Sequence, residues 1–190
     1  AIALGIVSVS RLFAPIFWGE DFAPCAYILS ALALSIPFSG FANVIRMQYL
    51  IPNGMDGAYI LSVILGAVSN LTANSLLIPR CGALGAAVGT VIAEGVVCAA
   101  QCLAVKKRID ILAYLKSTAF FGMAGLLMYG AVRVLDQRAE ITVSWLLLEI
   151  VVGGSVYCIL SVLYLYHTKN ELLMTALQKL GGAHQNNDRG

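Results

Sequence analysis

The feature that most constrains this chain is the near absence of charge over long apolar stretches. Only 12% of its 190 residues are charged and 59% are hydrophobic, whereas a soluble domain carries about 25% charged residues. A chain with so little charge cannot cover its own surface for water, so most of that surface must face lipid. The composition therefore excludes a soluble globular protein.

The apolar stretches predict membrane-spanning helices, because about 20 apolar residues at ~1.5 Å each cross ~30 Å of hydrocarbon. The spans are predicted at residues 1–17, 25–50, 58–78, 83–105, 117–135 and 143–166. We therefore predict an all-α, polytopic transmembrane helix bundle over residues 1–166, followed by a cytoplasmic tail (167–190) that is partly disordered. The first span starts at Ala1 without a methionine or a charged region before it. We interpret the chain as a fragment cut inside a membrane helix.

The basic residues predict the orientation of these spans. Lys106, Lys107 and Arg108 form the one basic run, and if every span crosses, most other basic residues fall on the same side. Loops rich in lysine and arginine face the cytoplasm. The C-terminus is therefore predicted to be cytoplasmic, in a multi-pass protein of the cytoplasmic membrane that contacts its lipids. The net charge of +2 is too small to indicate a nucleic-acid partner.

Sequence motifs of catalysis are absent. Both histidines lie in the tail, and no paired acids, nucleophile motif or phosphate-binding glycine loop is present. Cys98 and Cys102 are one helical turn apart with no flanking histidine, so we interpret them as small buried hydrophobic residues. The prediction is a protein that is not an enzyme and holds no metal and no cofactor.

Polar residues near the middle of the third and fourth spans are the first candidates for function. Glu94 lies ~16 Å deep, and Asn70 reaches a similar depth with Asn74 one turn further on. The two spans are joined by a short loop, so the three side chains are expected to converge. The asparagines fit either interhelical hydrogen bonds or a polar cavity wall. For Glu94 we favour a cavity that handles a proton or a substrate hydroxyl, because an ionisable acid is an expensive packing contact in lipid.

Arginines near span ends are the second set of candidates. Arg46 lies near the inner end of the second span beside Asn43, and Arg11 lies about seven residues from Trp18. Each arginine either snorkels to the head groups or faces a cavity. A guanidinium in a cavity suits a pyrophosphate, because it offers a planar fork of donors to anionic oxygens.

Other residues predict contacts between helices. Arg133 and Glu149 lie near the outer ends of the fifth and sixth spans and are predicted to form a structural pair. Gly85 and Gly89 form a G-x-x-x-G pattern that lets two helices approach closely. Pro37 in the second span predicts a kink.

Two segments resemble bacterial polysaccharide flippases of the MOP superfamily. The first is the run Phe17-Trp18-Gly19-Glu20-Asp21-Phe22, similar to an outer-loop F-x-G-E-x-F/Y segment. The second is Asn70-x-x-x-Asn74-x-x-Leu77-Ile78-Pro79-x-x-Gly82-x-x-Gly85-Ala86-Ala87-x-x-Thr90-x-x-x-Glu94, similar to a signature in the C-terminal half of O-antigen and capsule-repeat translocases. The likeness covers roughly residues 10 to 108. One departure is Met55-Asp56, where the family often has basic residues.

The resemblance implies the C-terminal six-helix half of a MOP/MATE-like transporter. Such a protein flips undecaprenyl-pyrophosphate-linked oligosaccharide repeat units across the membrane by alternating access, with a coupling ion (H⁺ or Na⁺) and with the missing N-terminal half of the same protein. The alternatives are another transporter of the superfamily, such as a multidrug/cation antiporter or a lipid II flippase, and a membrane enzyme of polysaccharide assembly. A drug antiporter favours acids in its cavity, whereas Arg11 and Arg46 favour an anionic substrate.

Overall fold

The computed structural model describes residues 1–136 and 141–167, and all of its regular structure is helical. A 3₁₀ turn, Glu20–Phe22, follows the first helix, and a π-helical turn, Arg46–Leu50, follows the third. The helices are α1 (Ile2–Trp18), α2 (Cys25–Ala33), α3 (Ser35–Ile45), α4 (Asp56–Val105), α5 (Ile111–Asp136) and α6 (Val143–His167).

Four helical stretches are long and apolar enough to cross a membrane: Cys25–Leu50, Asp56–Val105, Ile111–Asp136 and Val143–Tyr166. Helix α1 is also apolar, but its 17 residues make it shorter than these four. The predicted all-α, membrane-compatible architecture is therefore confirmed, and the six-span half of a transporter stays a prediction. The predicted tail, apart from His167 at the end of α6, lies outside the described residues.

The distribution of polar and apolar side chains is inverted relative to a soluble protein. Large apolar side chains are exposed along the helices, for example Leu71 at 71% and Val134 at 67%. Several of the most deeply buried side chains are polar instead: Ser8, Ser10, Ser62, Gln101, Asp136 and Glu149. Lipid solvates the first set, and the second set needs partners inside the protein.

A break separates α2 from α3 at Leu34, three residues before Pro37. Proline has no N–H to continue the backbone ladder, and its ring crowds the preceding turn, so the helix bends on the N-terminal side of the proline. The interruption lies within one turn of Pro37, the position from which a kink is predicted, and Leu34 itself keeps helical dihedral angles, φ −68° and ψ −16°.

Helix α4 folds back on itself at Gly82. Its 50 residues include one non-helical residue, Gly82, with φ 56° and ψ −134°. The amide of Gln101 donates to the hydroxyl of Ser62 over 3.1 Å. Gly66 lies against Val97, and Gly89 lies against Asn74. In each of these three pairs the two residues are equally far from the Cys81–Gly82 peptide bond, as required for an antiparallel helical hairpin.

Glycines make this hairpin tight. A methyl group at Gly85 would overlap the backbone carbonyl of Leu77, and one at Gly89 would overlap the side chain of Asn74. The predicted role of Gly85 and Gly89 in close helix packing is confirmed, because the first half of α4 (residues 56–81) occupies the space that a Cβ would need.

Helix α1 joins two groups of helices. It packs on α2, whose group includes α3 and α4, and it also packs on α5 and α6. The hydroxyls of Ser10 and Ser30 are 2.9 Å apart between α1 and α2. The rings of Phe120 and Tyr164 stack with centroids 3.8 Å apart between α5 and α6. The bundle is therefore continuous through α1.

We expect Gly82→Ala to destabilise the protein by about 1–3 kcal/mol, because an L-residue is strained at a positive φ with this ψ. Gly95→Ala is the matched control, since Gly95 is helical and its new Cβ would meet nothing within 4 Å. Thermal unfolding of both variants in detergent, followed by circular dichroism, checks this. Equal melting temperatures for the two variants would show that the chain does not turn at Gly82.

Candidate functional site

A polar cavity of about 620 Å³ lies between α3 and both halves of α4. Helix α3 lines it along one face over most of its length, the first half of α4 contributes Tyr59 and Val63, and the second half (83–105) contributes residues between Glu94 and Gln101. The polar lining residues are Ser35, Ser39, Asn43, Arg46, Tyr59, Glu94 and Gln101. Two sequence-predicted site residues, Arg46 and Glu94, therefore share one cavity wall.

Arg46 is held on two sides. Its Nη2 donates to Oδ1 of Asn43, one turn earlier on α3. Its Nη1 lies 3.5 Å from the hydroxyl of Tyr59 on α4, and its guanidinium carbon lies 5.4 Å from the centroid of that ring. Within the described part of the chain, its buried Nε has no hydrogen-bond partner. The guanidinium is thus positioned while keeping one donor free.

The backbone at Arg46 is distorted as well. The N–H of Ile51 donates to the carbonyl of Arg46 over 3.0 Å, which makes the turn π-helical rather than α-helical. Such single π turns are frequently found at functional sites. Ile45 and Leu50 pack with Val105 in a buried apolar cluster, which fixes this end of α3 against α4.

Glu94 and Gln101 reach the cavity from the second half of α4. Gln101 is 1% exposed and is oriented by its bond to Ser62. Together with Arg46, these side chains present a guanidinium, a carboxylate, an amide and hydroxyls. That set can bind a ligand that carries both anionic oxygens and hydroxyl groups.

The asparagines do not join Glu94 in this cavity. Asn74 donates through Nδ2 to Oδ1 of Asn70 over 2.8 Å, one turn earlier on the same helix. Asn74 also lies against Gly89 across the hairpin. The structure thus brings Asn70 and Asn74 together, and neither of them lines the cavity that contains Glu94.

A cluster of charges lies at the predicted outer end. The side chain of Asp136 is 3% exposed. Its Oδ2 accepts a hydrogen bond from Nη1 of Arg11 over 3.2 Å and another from Nη1 of Arg133 over 3.1 Å. The arginines are 66% and 48% exposed and border a second cavity, of about 710 Å³, between α1 and α2. Arg11 therefore lies at this end of the bundle and not in the cavity that contains Arg46.

The predicted pairing of Arg133 with Glu149 is wrong. Arg133 pairs with Asp136, one turn further along α5, and neither carboxylate oxygen of Glu149 has a hydrogen-bond partner among the residues described. The predicted fifth span ends at residue 135, whereas α5 extends to Asp136. The carboxylate of Asp136 therefore lies one helical turn from Arg133 and takes the place predicted for Glu149. The three-residue spacing of Arg133 and Asp136 is a helical ion-pair signal present in the sequence.

Sequence reasoning also missed Tyr59 and Gln101. Tyr59 looks like an ordinary aromatic residue near a span end, and its contact with Arg46 requires the fold. Gln101, by contrast, is an uncharged polar residue inside an apolar span, and its need for a partner in lipid is a usable signal. No metal-binding group of three His, Cys, Asp or Glu side chains occurs in residues 1–136 and 141–167.

The chain matches no known protein family, no curated protein and no solved structure.

We expect Asp136→Asn to lower stability by about 1–2 kcal/mol, because two arginines lose the one carboxylate that they share. This loss of stability is smaller than the loss expected for a fully buried ion pair, because solvent screens the two largely exposed arginines. Asp21→Asn is the control: Asp21 is an exposed acid in the turn after α1, and a change within about 0.5 kcal/mol is expected there. Thermal unfolding in detergent compares them, and equal stability of both variants would contradict a role for Asp136 in holding α1 on α5.

Proposed function

We propose that this chain forms part of a transporter that flips undecaprenyl-pyrophosphate-linked oligosaccharide repeat units across the cytoplasmic membrane by alternating access. The observation that carries the proposal is that Arg46 and Glu94 line one polar cavity in a bundle that carries little charge. Charged groups facing a cavity at membrane depth mark the path of a polar substrate.

Arg46 is the proposed pyrophosphate contact. Each of its two terminal nitrogens carries two N–H donors in one plane and is only partly engaged, by Tyr59 and Asn43, and such a fork fits anionic phosphate oxygens. Tyr59 and Asn43 hold the guanidinium in place before the substrate arrives. This preorganisation reduces the entropy lost on binding.

Glu94 and Gln101 are the proposed sugar contacts, because a carboxylate and an amide accept and donate hydrogen bonds to hydroxyl groups. The volume of about 620 Å³ lies in the range of small-ligand sites, about 300–1,000 Å³. The cavity therefore suits the pyrophosphate and the nearest sugar. The polyprenyl chain would remain in the lipid beside the exposed apolar faces, and the rest of the cavity would come from an N-terminal half.

The proposed orientation puts the C-terminus in the cytoplasm, so Arg46 lies near the side on which lipid-linked repeats are made. Alternating access requires only that the substrate is bound on one side and released on the other, without covalent chemistry. We therefore propose a transporter and not an enzyme. A multidrug or cation antiporter is the second candidate, since Glu94 offers a cationic substrate a carboxylate in the same cavity. The two candidates make different predictions: transport by a flippase depends on Arg46, and transport by a cation antiporter depends on Glu94.

We expect Arg46→Ala in the full-length protein to lower surface polysaccharide at least tenfold, equivalent to ~1.4 kcal/mol of lost substrate binding, in a bacterial strain that depends on this protein for export. Arg46→Lys should retain part of the activity because it keeps the charge but not the fork. Surface polysaccharide and the amount of protein in the membrane are measured together.

Arg80→Ala is the matched control, because Arg80 is exposed beside the hairpin turn and does not line the cavity. It should leave export unchanged. Full export by Arg46→Ala at normal protein level would refute the site. Loss of export by Glu94→Gln with full export by Arg46→Ala would favour the cation antiporter.

A further inference from the structure

Glu149 on α6 is a buried acid with no evident structural role. It is 0% exposed, and within the described residues neither of its carboxylate oxygens has a hydrogen-bond partner. Asp136, which is also buried in the described part of the chain, accepts hydrogen bonds from two guanidinium groups. Glu149 therefore differs from Asp136 in having no donor to balance a negative charge.

The surroundings of Glu149 are mostly apolar. It lines a cavity of about 410 Å³ between α1, α5 and α6, with walls formed by residues such as Ile6, Val9, Met128 and Val132. A metal cation is bound by several oxygen ligands, and these walls supply mainly carbon. A proton needs only the carboxylate itself.

Charged and titratable groups approach Glu149 from each neighbouring helix. Arg11 lies on α1, and Arg133 and Asp136 lie on α5, and all three act electrostatically on Glu149. Tyr157 and Cys158 on α6 line the same cavity. Both arginines are already engaged by Asp136.

An ionised carboxylate without donors in an apolar site is expensive, so this packing favours the neutral acid. Any motion that separates α6 from α1 would admit water and remove that preference. The O–H bond would then break, the proton would pass to water, and water would solvate the carboxylate. The geometry thus joins proton release to helix movement.

We propose that Glu149 is a proton-binding site, occupied while α1, α5 and α6 are packed together and emptied when they part. The coupling of this proton to transport rests on the function proposed above, whereas the protonation itself does not. Glu149 would in that case be the group through which a proton gradient drives the helices.

Infrared spectroscopy of the full chain in lipid nanodiscs tests the protonation directly. We expect a carbonyl stretching band of a protonated carboxylic acid at neutral pH, which disappears as the pH is raised. The band should be lost in Glu149→Gln, which keeps the shape of the neutral acid and cannot ionise. Glu20→Gln, at an exposed glutamate, should retain it.

Three results would overturn the proposal. They are the absence of the band in the unmodified protein at neutral pH, its persistence in Glu149→Gln, and its removal by Na⁺ at constant pH, which would indicate a sodium site. If Glu149→Gln fails to fold, the unmodified protein is treated with dicyclohexylcarbodiimide instead. This apolar reagent modifies protonated carboxyl groups, so its reaction reports whether Glu149 is protonated. Mass spectrometry should then find modified Glu149, decreasing as pH rises, and no modification at any pH would contradict the proposal.

These outcomes are separable from those for the proposed function. Failure of Arg46→Ala to affect polysaccharide would leave the infrared band unchanged, and the proton site would stand without the flippase. Conversely, loss of export in Arg46→Ala together with an ionised Glu149 would leave the flippase without this proton site.

Discussion

The structure depends on one constraint: the hydrocarbon of a membrane offers no hydrogen-bond partner, so polar atoms within it must be satisfied by the protein. This accounts for the apolar surface and for the serine, amide and acid side chains at its centre. Most of the buried polar groups meet the requirement locally. Ser8 donates to the carbonyl of Leu4, Ser62 accepts from Gln101, and Asp136 takes two guanidinium groups. Among the described residues, the requirement is unmet at a single buried atom in each of several side chains, Arg46, Asn74, Gln101, Asp136 and Ser161, and at both carboxylate oxygens of Glu149.

Much of the fold follows from the sequence, because length and apolarity determine where a chain can cross lipid. Predicted spans at 25–50 and 143–166 correspond closely to helical stretches Cys25–Leu50 and Val143–Tyr166. The turn at Gly82 and the break before Pro37 were predictable since each follows from the backbone of one residue type. The same reasoning placed Gly85 and Gly89 at a helix contact.

The candidate site was less predictable, and the reason is geometric. Counting residues from a span end gives the depth of a side chain but not its direction around the helix axis. Asn70, Asn74 and Glu94 have similar depths, yet the asparagines bond to each other while Glu94 lines a cavity that neither of them lines. The error at Arg133 and Glu149 is of the same kind, and the predicted fifth span also ended at residue 135, one residue short of Asp136, where α5 ends. Direction depends on which helices are neighbours, and that is a property of the whole bundle.

The hairpin formed by α4 has a consequence for how such a chain enters a membrane. Its contacts pair residues symmetrically about the Cys81–Gly82 peptide, so each half supplies the partners of the other. The hydrogen bond between Ser62 and Gln101 lies within the hairpin and needs no other helix. Two helices with complementary faces and a short turn between them can insert into the bilayer together, before the other helices pack against them. During synthesis, α4 would thus be a self-contained insertion unit, onto which α3 and its arginine dock from the side.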